Sequence, residues 1–331
     1  MNGAVVPANA RAIEQAARLL ASGKLVAFPT ETVYGLGADA ANADAVQEIF
    51  AVKGRPADHP VIVHIPGRDH LGRWAREVSR GALALADAFW PGPLTLILPR
   101  GNGVLDQITG GQDSIGLRFP SHPVARALLD AFGGGIAAPS ANRFGHVSPT
   151  TAQHVAADLG EAPAMILDGG PSDIGIESTI VTFRGDEPFL LRPGAIGVAE
   201  LTRVLGRSPQ LPDAAVPRVS GTLAAHYAPR TPASLLRPDA LGAELAQLIE
   251  RDERVAVLTR TIKRPYDFDG DWITAPDNAA DYARDLYANL RALDAANADA
   301  ILIEAPPDDP SWLAIRDRLT RATQGEDDDR D

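Results

Sequence analysis

Apolar residues recur at helical spacing near the start of the chain. Between residues 13 and 20 they fall three or four positions apart, with Asn9 before them as a candidate N-cap and Gly23 after them as a candidate end. A similar pattern runs from Asn42 to Gly54. The sequence therefore predicts two helices here, with a short apolar strand between them.

Short apolar or alternating runs continue to about residue 205, with helical patterns between some of them. Strands are predicted at residues 24–28, 61–65, 94–98, 115–119, 135–138, 165–167, 178–183 and 189–191. Helices are predicted near residues 79–89, 122–131 and 151–159. Mixed strands and helices of this kind predict an α/β domain with a twisted, mostly mixed sheet over residues 1–205.

The pattern lapses over residues 206–232, where five prolines and Gly221 suggest an extended linker. Strands and helices then alternate over residues 233–325, which predicts a smaller, parallel, Rossmann-like α/β domain. This second domain lacks a Gly-x-Gly-x-x-Gly turn and is not expected to bind a dinucleotide. Residues 326–331 are nearly all acidic and are predicted to be disordered.

Composition narrows the classes of protein that remain. The 331 residues include no cysteine, which excludes disulfides, thiolate catalysis and cysteine-held zinc or iron–sulfur clusters. The net charge of −12 argues against a general nucleic-acid binder, because phosphate neutralisation needs a basic face. Neither a membrane span nor a secretory signal is predicted, and a cytoplasmic protein fits.

Residues 29–37 place hydroxyl groups, a carboxylate and a phenol directly after a strand, where open α/β sheets usually bind ligands. A glycine-rich turn with capping hydroxyls explains them equally well.

Further along, Lys53 and Arg55 bracket a glycine at a helix end. Two functions fit this pair: complementing the helix dipole, or clamping a triphosphate with a planar fork and a point charge.

Two other charged or titratable residues lie inside predicted strands. His64 in an apolar strand is more often a core residue than a ligand, and with His59 it lacks a third partner at zinc-site spacing. A zinc site is therefore rejected. Arg118 must find a partner, because burying an unpaired charge is costly; a ligand anion or an internal acid would satisfy it.

Polar residues also follow later strands. Ser140 and Asn142 share one side of an extended segment. Ser148 begins a helix, where it either caps the helix or contacts an anion. Arg192 precedes a proline, so its segment is extended. In the linker, Tyr227 either pins the chain or covers a nucleotide. The sequence has no Gly-x-x-x-x-Gly-Lys-[Ser/Thr] motif and no Gly-x-Ser-x-Gly elbow, which argues against a P-loop NTPase and an α/β-hydrolase.

Eight short motifs occur in a fixed order. They are PTETVYGL (29–36), KGRP (53–56), PVIVH (60–64), WPGPLT (90–95), GLRFP (116–120), PSAN (139–142), STIV (178–181) and LRPG (191–194). Each motif is weak alone, but the ordered set resembles the YrdC-type family of threonylcarbamoyl-AMP synthases. The linker and second domain resemble the longer, two-domain branch of that family.

The resemblance implies a concave, twisted sheet with a positively charged cavity. It implies that L-threonine, bicarbonate or CO2, and ATP are joined to give threonylcarbamoyl-AMP and pyrophosphate. Mg²⁺ is expected with the ATP, held mainly by phosphate oxygens and water. The product is expected to pass to a separate tRNA threonylcarbamoyl transferase, and a weak direct contact with tRNA stays open.

The resemblance also implies residue roles. The set that handles the triphosphate, and is expected to be catalytic, is Lys53, Arg55, Ser140 and Asn142. The threonine site is Thr32, His64, Arg118, Ser178 and the backbone of Ala138. Further contacts with ATP are His59, Ser114, Ser148, Arg192 and Tyr227. This chain has His59 where asparagine is frequent and Ala138 where a hydroxyl is frequent, which puts one nucleotide contact and one hydrogen bond in question.

The residues offer cations, hydroxyls and amides rather than a nucleophile–base pair. Catalysis by positioning and charge neutralisation is therefore expected, with residues 206–232 as a candidate lid that excludes water from a labile carbamate. Two alternatives stay open. A non-catalytic RNA-binding module is disfavoured by the acidity and the 5% aromatic content. A carbamoyl-transfer relative with another acceptor is disfavoured because such relatives carry cysteine-rich fingers.

Overall fold

The computed structural model describes residues 3–213, 216–221, 223 and 225–324. The chain divides into two compact units. The described residues of the first are 3–144, 148–173, 177–213 and 216–221, and those of the second are 145–147, 174–176, 223 and 225–324. The predicted acidic tail, residues 326–331, lies outside the described residues. None of the described helices is long and apolar enough to cross a membrane.

The first unit is built on a ten-stranded sheet. Its strands are β1 Val5–Pro7, β2 Val26–Phe28, β3 Gly35–Asp39, β4 Ile62–His64, β5 Leu94–Pro99, β6 Ser114–Arg118, β7 Ile136–Ala137, β8 Met165–Asp168, β9 Thr179–Arg184 and β10 Glu187–Arg192. Its helices are α1 Ala10–Ala21, α2 Ala43–Lys53, α3 Leu71–Trp74, α4 Arg80–Phe89, α5 Asp106–Thr109, α6 Pro123–Phe132, α7 Ala152–Leu159 and α8 Val198–Leu205.

The strand order is β1-β8-β2-β3-β7-β4-β6-β5-β9-β10. Parallel pairs (β1 with β8, β2 with β8, β4 with β6, β5 with β9) occur together with antiparallel pairs. The sheet is thus mixed, which confirms the predicted α/β class for this part of the chain.

The first two helices begin and end where the sequence predicts. The Asn9 side chain accepts a hydrogen bond from the Ala12 amide at 3.0 Å, and that of Asn42 caps α2 in the same way. Gly54 ends α2 in the left-handed conformation at φ 65°, where a glycine is preferred. This places Lys53 at the last position of the helix.

Strand β3 was not predicted, because residues 29–37 were interpreted as one loop. Gly35 begins this strand, which runs antiparallel to β2. The glycines make the segment resemble a turn, but at Gly37 the neighbouring side chains leave no room for a Cβ. A Cβ on Gly37 would lie 2.8 Å from a ring carbon of Phe28 and 2.9 Å from a methyl group of Ile136.

The register brings several strand ends to one edge of the sheet. In β4 and β6, His64 lies opposite Arg118, and in β5 and β6 Thr95 lies opposite Arg118. Strand β9 runs parallel to β5 and starts at the same edge, with Thr179 opposite Leu94. The ends of β4 and β6 and the starts of β5 and β9 are therefore neighbours.

The described residues 206–213 and 216–221, from the first part of the predicted linker, belong to the first unit. The Leu190 amide donates to the Gln210 carbonyl at 2.9 Å, and Val216 and Val219 contact a buried cluster on the sheet. That cluster consists of Ile97, Ile180, Phe189 and Leu191. The proposed lid role of the linker stays a prediction.

The second unit has a smaller sheet in the order β11-β14-β12-β13, with all pairs parallel. Its elements are β11 Ala233–Leu236, α9 Pro238–Glu250, β12 Val255–Thr259, β13 Trp272–Thr274, α10 Ala279–Asp294, β14 Ala300–Glu304 and α11 Leu313–Ala322. This confirms the predicted smaller parallel α/β fold. Strand β13 was missed, because three residues show no periodicity.

Candidate functional site

Lys53 is buried at the end of α2 and fixes the segment that carries Ser140 and Asn142. Its ammonium donates to the carbonyl oxygens of Ser140 and Asn142 at 2.6 and 2.5 Å. Burial, and then the nearby Arg55 guanidinium, hold the pKa of Lys53 well below its usual value. Its third N–H has no acceptor among the described residues.

Arg55 lies two residues further on and is also buried. It donates to the Pro60 carbonyl at 2.9 Å and to the Ser220 hydroxyl at 3.4 Å. Its guanidinium carbon lies 5.6 Å from the centre of the Phe144 ring, and the His59 ring meets that ring edge-on at 5.4 Å. Burial, followed by Arg55, lowers the pKa of His59. Phe144 therefore contacts both Arg55 and His59, two residues predicted to bind ATP. Phe144 itself was not predicted.

Arg118 and Glu31 form a buried ion pair. One Arg118 nitrogen donates to a Glu31 oxygen at 2.7 Å, with both side chains about one-twentieth exposed. The other terminal nitrogen donates to the Thr32 hydroxyl at 2.8 Å, and Nε donates to the Gly92 carbonyl at 3.4 Å. Of the two partners that the sequence left open for Arg118, the internal acid is present in the structure.

A chain of hydroxyl groups supports this pair. The Thr30 hydroxyl donates to the Val33 carbonyl at 2.6 Å. Since a hydroxyl has a single proton, the 2.9 Å contact between the hydroxyls of Thr30 and Thr32 must have Thr32 as its donor. The Thr32 oxygen then accepts from Arg118, so the orientation of this side chain is fixed.

His64 faces the same region as an uncharged ring. Burial, and then Arg118, lower its pKa to about 3, so the imidazole is neutral at pH 7. Neither ring nitrogen makes a well-formed hydrogen bond to a described residue, and the Phe28 ring contacts it edge-on at 6.0 Å. A buried ring with unused nitrogens is unusual in a plain core residue and fits a ligand contact.

Ser178 and Arg192 meet at the neighbouring strand ends. Arg192 donates two bonds of 3.1 Å to the Ser178 carbonyl and a third of 2.8 Å to the Ser220 carbonyl. The Ser178 hydroxyl lies 2.7 Å from that of Thr95, the residue opposite Arg118 in the sheet. Thr95 thus contacts Ser178 and lies next to Arg118 in the sheet.

Three further predicted residues lie on the same unit. The Ser148 hydroxyl donates to a carboxylate oxygen of Glu177 at 2.5 Å, and both residues are buried. Ser114 lines a groove with Gly116 of the same strand and Ser220 of the linker. The Ala138 amide is used by the sheet, since it donates to the Ile62 carbonyl at 3.0 Å.

Tyr227 belongs to the second unit. It has a left-handed φ of 64°, its ring stacks on that of Tyr287 at 5.7 Å, and the Arg318 guanidinium lies 5.2 Å from it. Its predicted role as a nucleotide contact stays a prediction.

Several of the other predicted residues are neighbours within the first unit. Lys53 binds the Ser140–Asn142 segment and lies in the field of Arg55. Arg55 and Arg192 share Ser220, and Arg192 reaches Ser178, whose partner Thr95 lies beside Arg118. Sequence reasoning missed Glu31, Thr95, Phe144, Glu177 and Ser220. The first two lie inside the ordered motifs, so position alone could have marked them.

The site carries four buried cations, namely Lys53, Arg55, Arg118 and Arg192, and two buried carboxylates, Glu31 and Glu177. This excess of positive charge suits an anionic ligand. No group of three His, Cys, Asp or Glu side chains that could hold a metal occurs in the part of the chain that the structure describes.

Two family models match the chain. The model Sua5_yciO_yrdC, described as "Telomere recombination", matches residues 18–194. The model described as "Threonylcarbamoyl-AMP synthase, C-terminal domain" matches residues 196–324.

Individual relatives match over nearly their full length. The threonylcarbamoyl-AMP synthase of Bacillus subtilis is 41% identical over 323 residues, which are 95% of this chain and 93% of that protein. That of Pyrococcus abyssi is 39% identical over 94% of both chains. A crystal structure of P. abyssi Sua5 complexed with L-threonine matches with a TM-score of 0.89 and 38% identity, covering 96% of each chain.

Proposed function

Because the chain belongs to the Sua5/YrdC family of threonylcarbamoyl-AMP synthases, in its two-domain form, we propose that it makes threonylcarbamoyl-AMP from L-threonine, bicarbonate and ATP. One observation in the structure supports this most: Arg55, predicted to hold the triphosphate, shares Ser220 with Arg192, and Arg192 donates to Ser178 of the predicted threonine site. A site of this kind brings two substrates together, which is the main requirement of the reaction.

The ATP end is proposed to comprise Lys53, Arg55, Ser140 and Asn142. The unused ammonium N–H of Lys53 and the planar fork of Arg55 suit phosphate oxygens. Lys53 also holds the Ser140–Asn142 segment by two carbonyls, so it has a structural task besides its charge. Ser114, Ser148, His59, Arg192 and Tyr227 are proposed as further nucleotide contacts.

The threonine end is proposed to comprise Thr32, His64, Arg118, Ser178 and the backbone of Ala138. Arg118 would receive the carboxylate of the amino acid. A guanidinium has five N–H groups, and three of them are engaged within the described chain. Neutral His64 can accept a hydrogen bond from the ammonium or hydroxyl group of the substrate.

The proposed reaction needs no nucleophile from the protein. The ammonium of threonine first loses a proton to solvent, and the neutral amine then attacks carbon dioxide with loss of a further proton, or bicarbonate with loss of water, to give a carbamate. An oxygen of the carbamate then attacks the α-phosphorus of ATP, from which pyrophosphate leaves. The side chains align the two substrates and neutralise the charge that develops on the phosphates. The four buried cations are suited to the second task.

Mg²⁺ is proposed to accompany ATP. Mg²⁺ commonly keeps several waters and is bound through substrate phosphates, so a protein cage of carboxylates is not required. When bound, it would neutralise phosphate charge.

The fate of the product is also part of the proposal. A mixed anhydride of a carbamate and a phosphate is an activated group, so a separate tRNA threonylcarbamoyl transferase is proposed to consume it. A cytoplasmic location and a weak direct contact with tRNA stay predictions.

Pyrophosphate release that depends on threonine tests this assignment. We expect the natural protein to release pyrophosphate. In Lys53→Ala and in Arg55→Ala the rate should fall by about a hundredfold or more, because each variant lacks a positive charge that stabilises the negative charge developing on the phosphates in the transition state. Circular dichroism would check that both variants keep their secondary structure.

Lys24→Ala is the matched control, because Lys24 is an exposed lysine of the same unit. It should leave the rate unchanged. Full threonine-dependent release by Lys53→Ala and Arg55→Ala would show that the triphosphate is held elsewhere.

A further inference from the structure

Glu31 is a buried carboxylate held from both sides, and the motif roles given above do not include it. One oxygen accepts from Arg118 at 2.7 Å, and the other accepts from the backbone amides of Ser121 and His122 at 3.1 and 3.4 Å. The Glu31 carboxylate therefore cannot turn without breaking several hydrogen bonds. Its orientation fixes that of Arg118, the proposed carboxylate receptor.

The charges around Arg118 are balanced. Burial alone would raise the pKa of Glu31, but Arg118 and the amide donors outweigh it and lower that pKa, so the carboxylate is ionised at pH 7. His64 is neutral there, since its pKa is about 3. His122 is neutral as well, because burial lowers its pKa from 6.5. The buried pair of Arg118 and Glu31 thus carries no net charge.

A ligand enters this balanced site with its own charge. Two of the five N–H groups of Arg118 have no acceptor among the described residues and can bind a carboxylate. A simple carboxylate would add a second anion beside Glu31, and a buried charge without a partner is costly. A zwitterionic amino acid adds no net charge, because its ammonium accompanies its carboxylate.

We propose that Glu31 is a specificity-determining residue: it positions Arg118 and makes the pocket select a zwitterionic amino acid over the same molecule without its amino group. This rests on the proposed threonine site. Glu31 acts through Arg118 and through the charge of the pocket, so its removal should change which ligand is preferred and not only how tightly ligands bind.

Isothermal titration with two ligands tests this. L-Threonine is compared with (R)-3-hydroxybutyrate, which is threonine without its amino group. The natural protein should prefer threonine. In Glu31→Gln the pocket gains a net positive charge, so threonine should bind about tenfold more weakly or worse while 3-hydroxybutyrate binds as well as before or better.

Two further variants separate charge from structure. Glu31→Asp keeps the charge and should keep the preference for threonine even if both affinities fall. Glu304→Gln removes another buried carboxylate, in the second unit, where Glu304 accepts from the amides of residues 260–262. It should leave both affinities unchanged.

Each remaining outcome is decisive. If Glu31→Gln weakens both ligands by the same factor, or weakens neither, Glu31 does not set the preference and the proposal is wrong. If the natural protein binds neither ligand, the proposed threonine site itself is wrong. That result differs from one in which the natural protein binds threonine and Glu31→Gln leaves the preference unchanged, which contradicts only the role of Glu31.

Discussion

Burial sets the charge of individual side chains in the first unit. Lys53, Arg118 and Arg192 are each less than one-twentieth exposed, yet each donates to carbonyl, hydroxyl or carboxylate oxygens that offset the loss of water. Neither ring nitrogen of His64 makes a well-formed hydrogen bond to a described residue, and burial keeps the ring neutral instead. Burial therefore leaves Lys53, Arg118 and Arg192 as hydrogen-bonded donors, whereas it leaves His64 as a neutral ring.

The neutral state of His64 predicts a pH dependence of stability. Its pKa is about 3 in the folded protein and 6.5 in the unfolded chain, so between these values only the unfolded state binds the proton. The free energy of unfolding should therefore fall as the pH drops from 6.5 towards 3, by up to about 1.4 kcal/mol per pH unit from this residue alone.

The variant His64→Gln removes this contribution. Urea unfolding of both proteins at several pH values isolates it, because all other titrating groups are shared. The variant should lose less stability on acidification than the natural protein. Equal slopes for the two proteins would mean that His64 is protonated in the folded state.

Single elements depend on close packing that residue propensities do not show. Strand β3 begins at Gly35 and includes Gly37, residues that disfavour strands, yet it pairs with β2 and β7 in the middle of the sheet. The space beside Gly37 is filled by Phe28 and Ile136. This strand carries the chain away from Thr32, so its placement determines where the threonine end of the site lies.

The variant Gly37→Ala should therefore lower the free energy of unfolding by about 1–3 kcal/mol, because the new methyl group overlaps Phe28 and Ile136. Gly72→Ala is the control. Gly72 lies in helix α3 of the same unit, and a methyl group added there would meet no heavy atom within 4 Å, so the change should be neutral or stabilise by about 0.4–1 kcal/mol. Equal stability of both variants would contradict the packing account of β3.

Caps and periodicity made most elements predictable from the sequence. Asn9 and Asn42 cap helices as expected, and Gly54 ends the second one. Strand β3 and the ion pair of Glu31 with Arg118 were not predicted. Both depend on contacts between segments far apart in sequence, and periodicity reports only neighbours along the chain. The residue roles were predicted from the family resemblance, whereas the hydrogen-bond and ion-pair partners of these residues were seen only in the structure.

The whole molecule is acidic, with a net charge of −12, although four buried cations lie in the first unit. General attraction of nucleic acid is therefore not expected, and anionic substrates are bound by local geometry. The two family models divide the chain near residue 195, and the second unit has its own parallel sheet. The residues proposed to bind threonine and the triphosphate lie in the first unit.

The proposed reaction can be tested by mass spectrometry of the product formed from ATP, L-threonine and carbon-13 bicarbonate. We expect threonylcarbamoyl-AMP that carries the label in its carbamoyl group, formed only when all three substrates are present, together with pyrophosphate. An unlabelled adenylate of threonine, or pyrophosphate release that does not need bicarbonate, would contradict it.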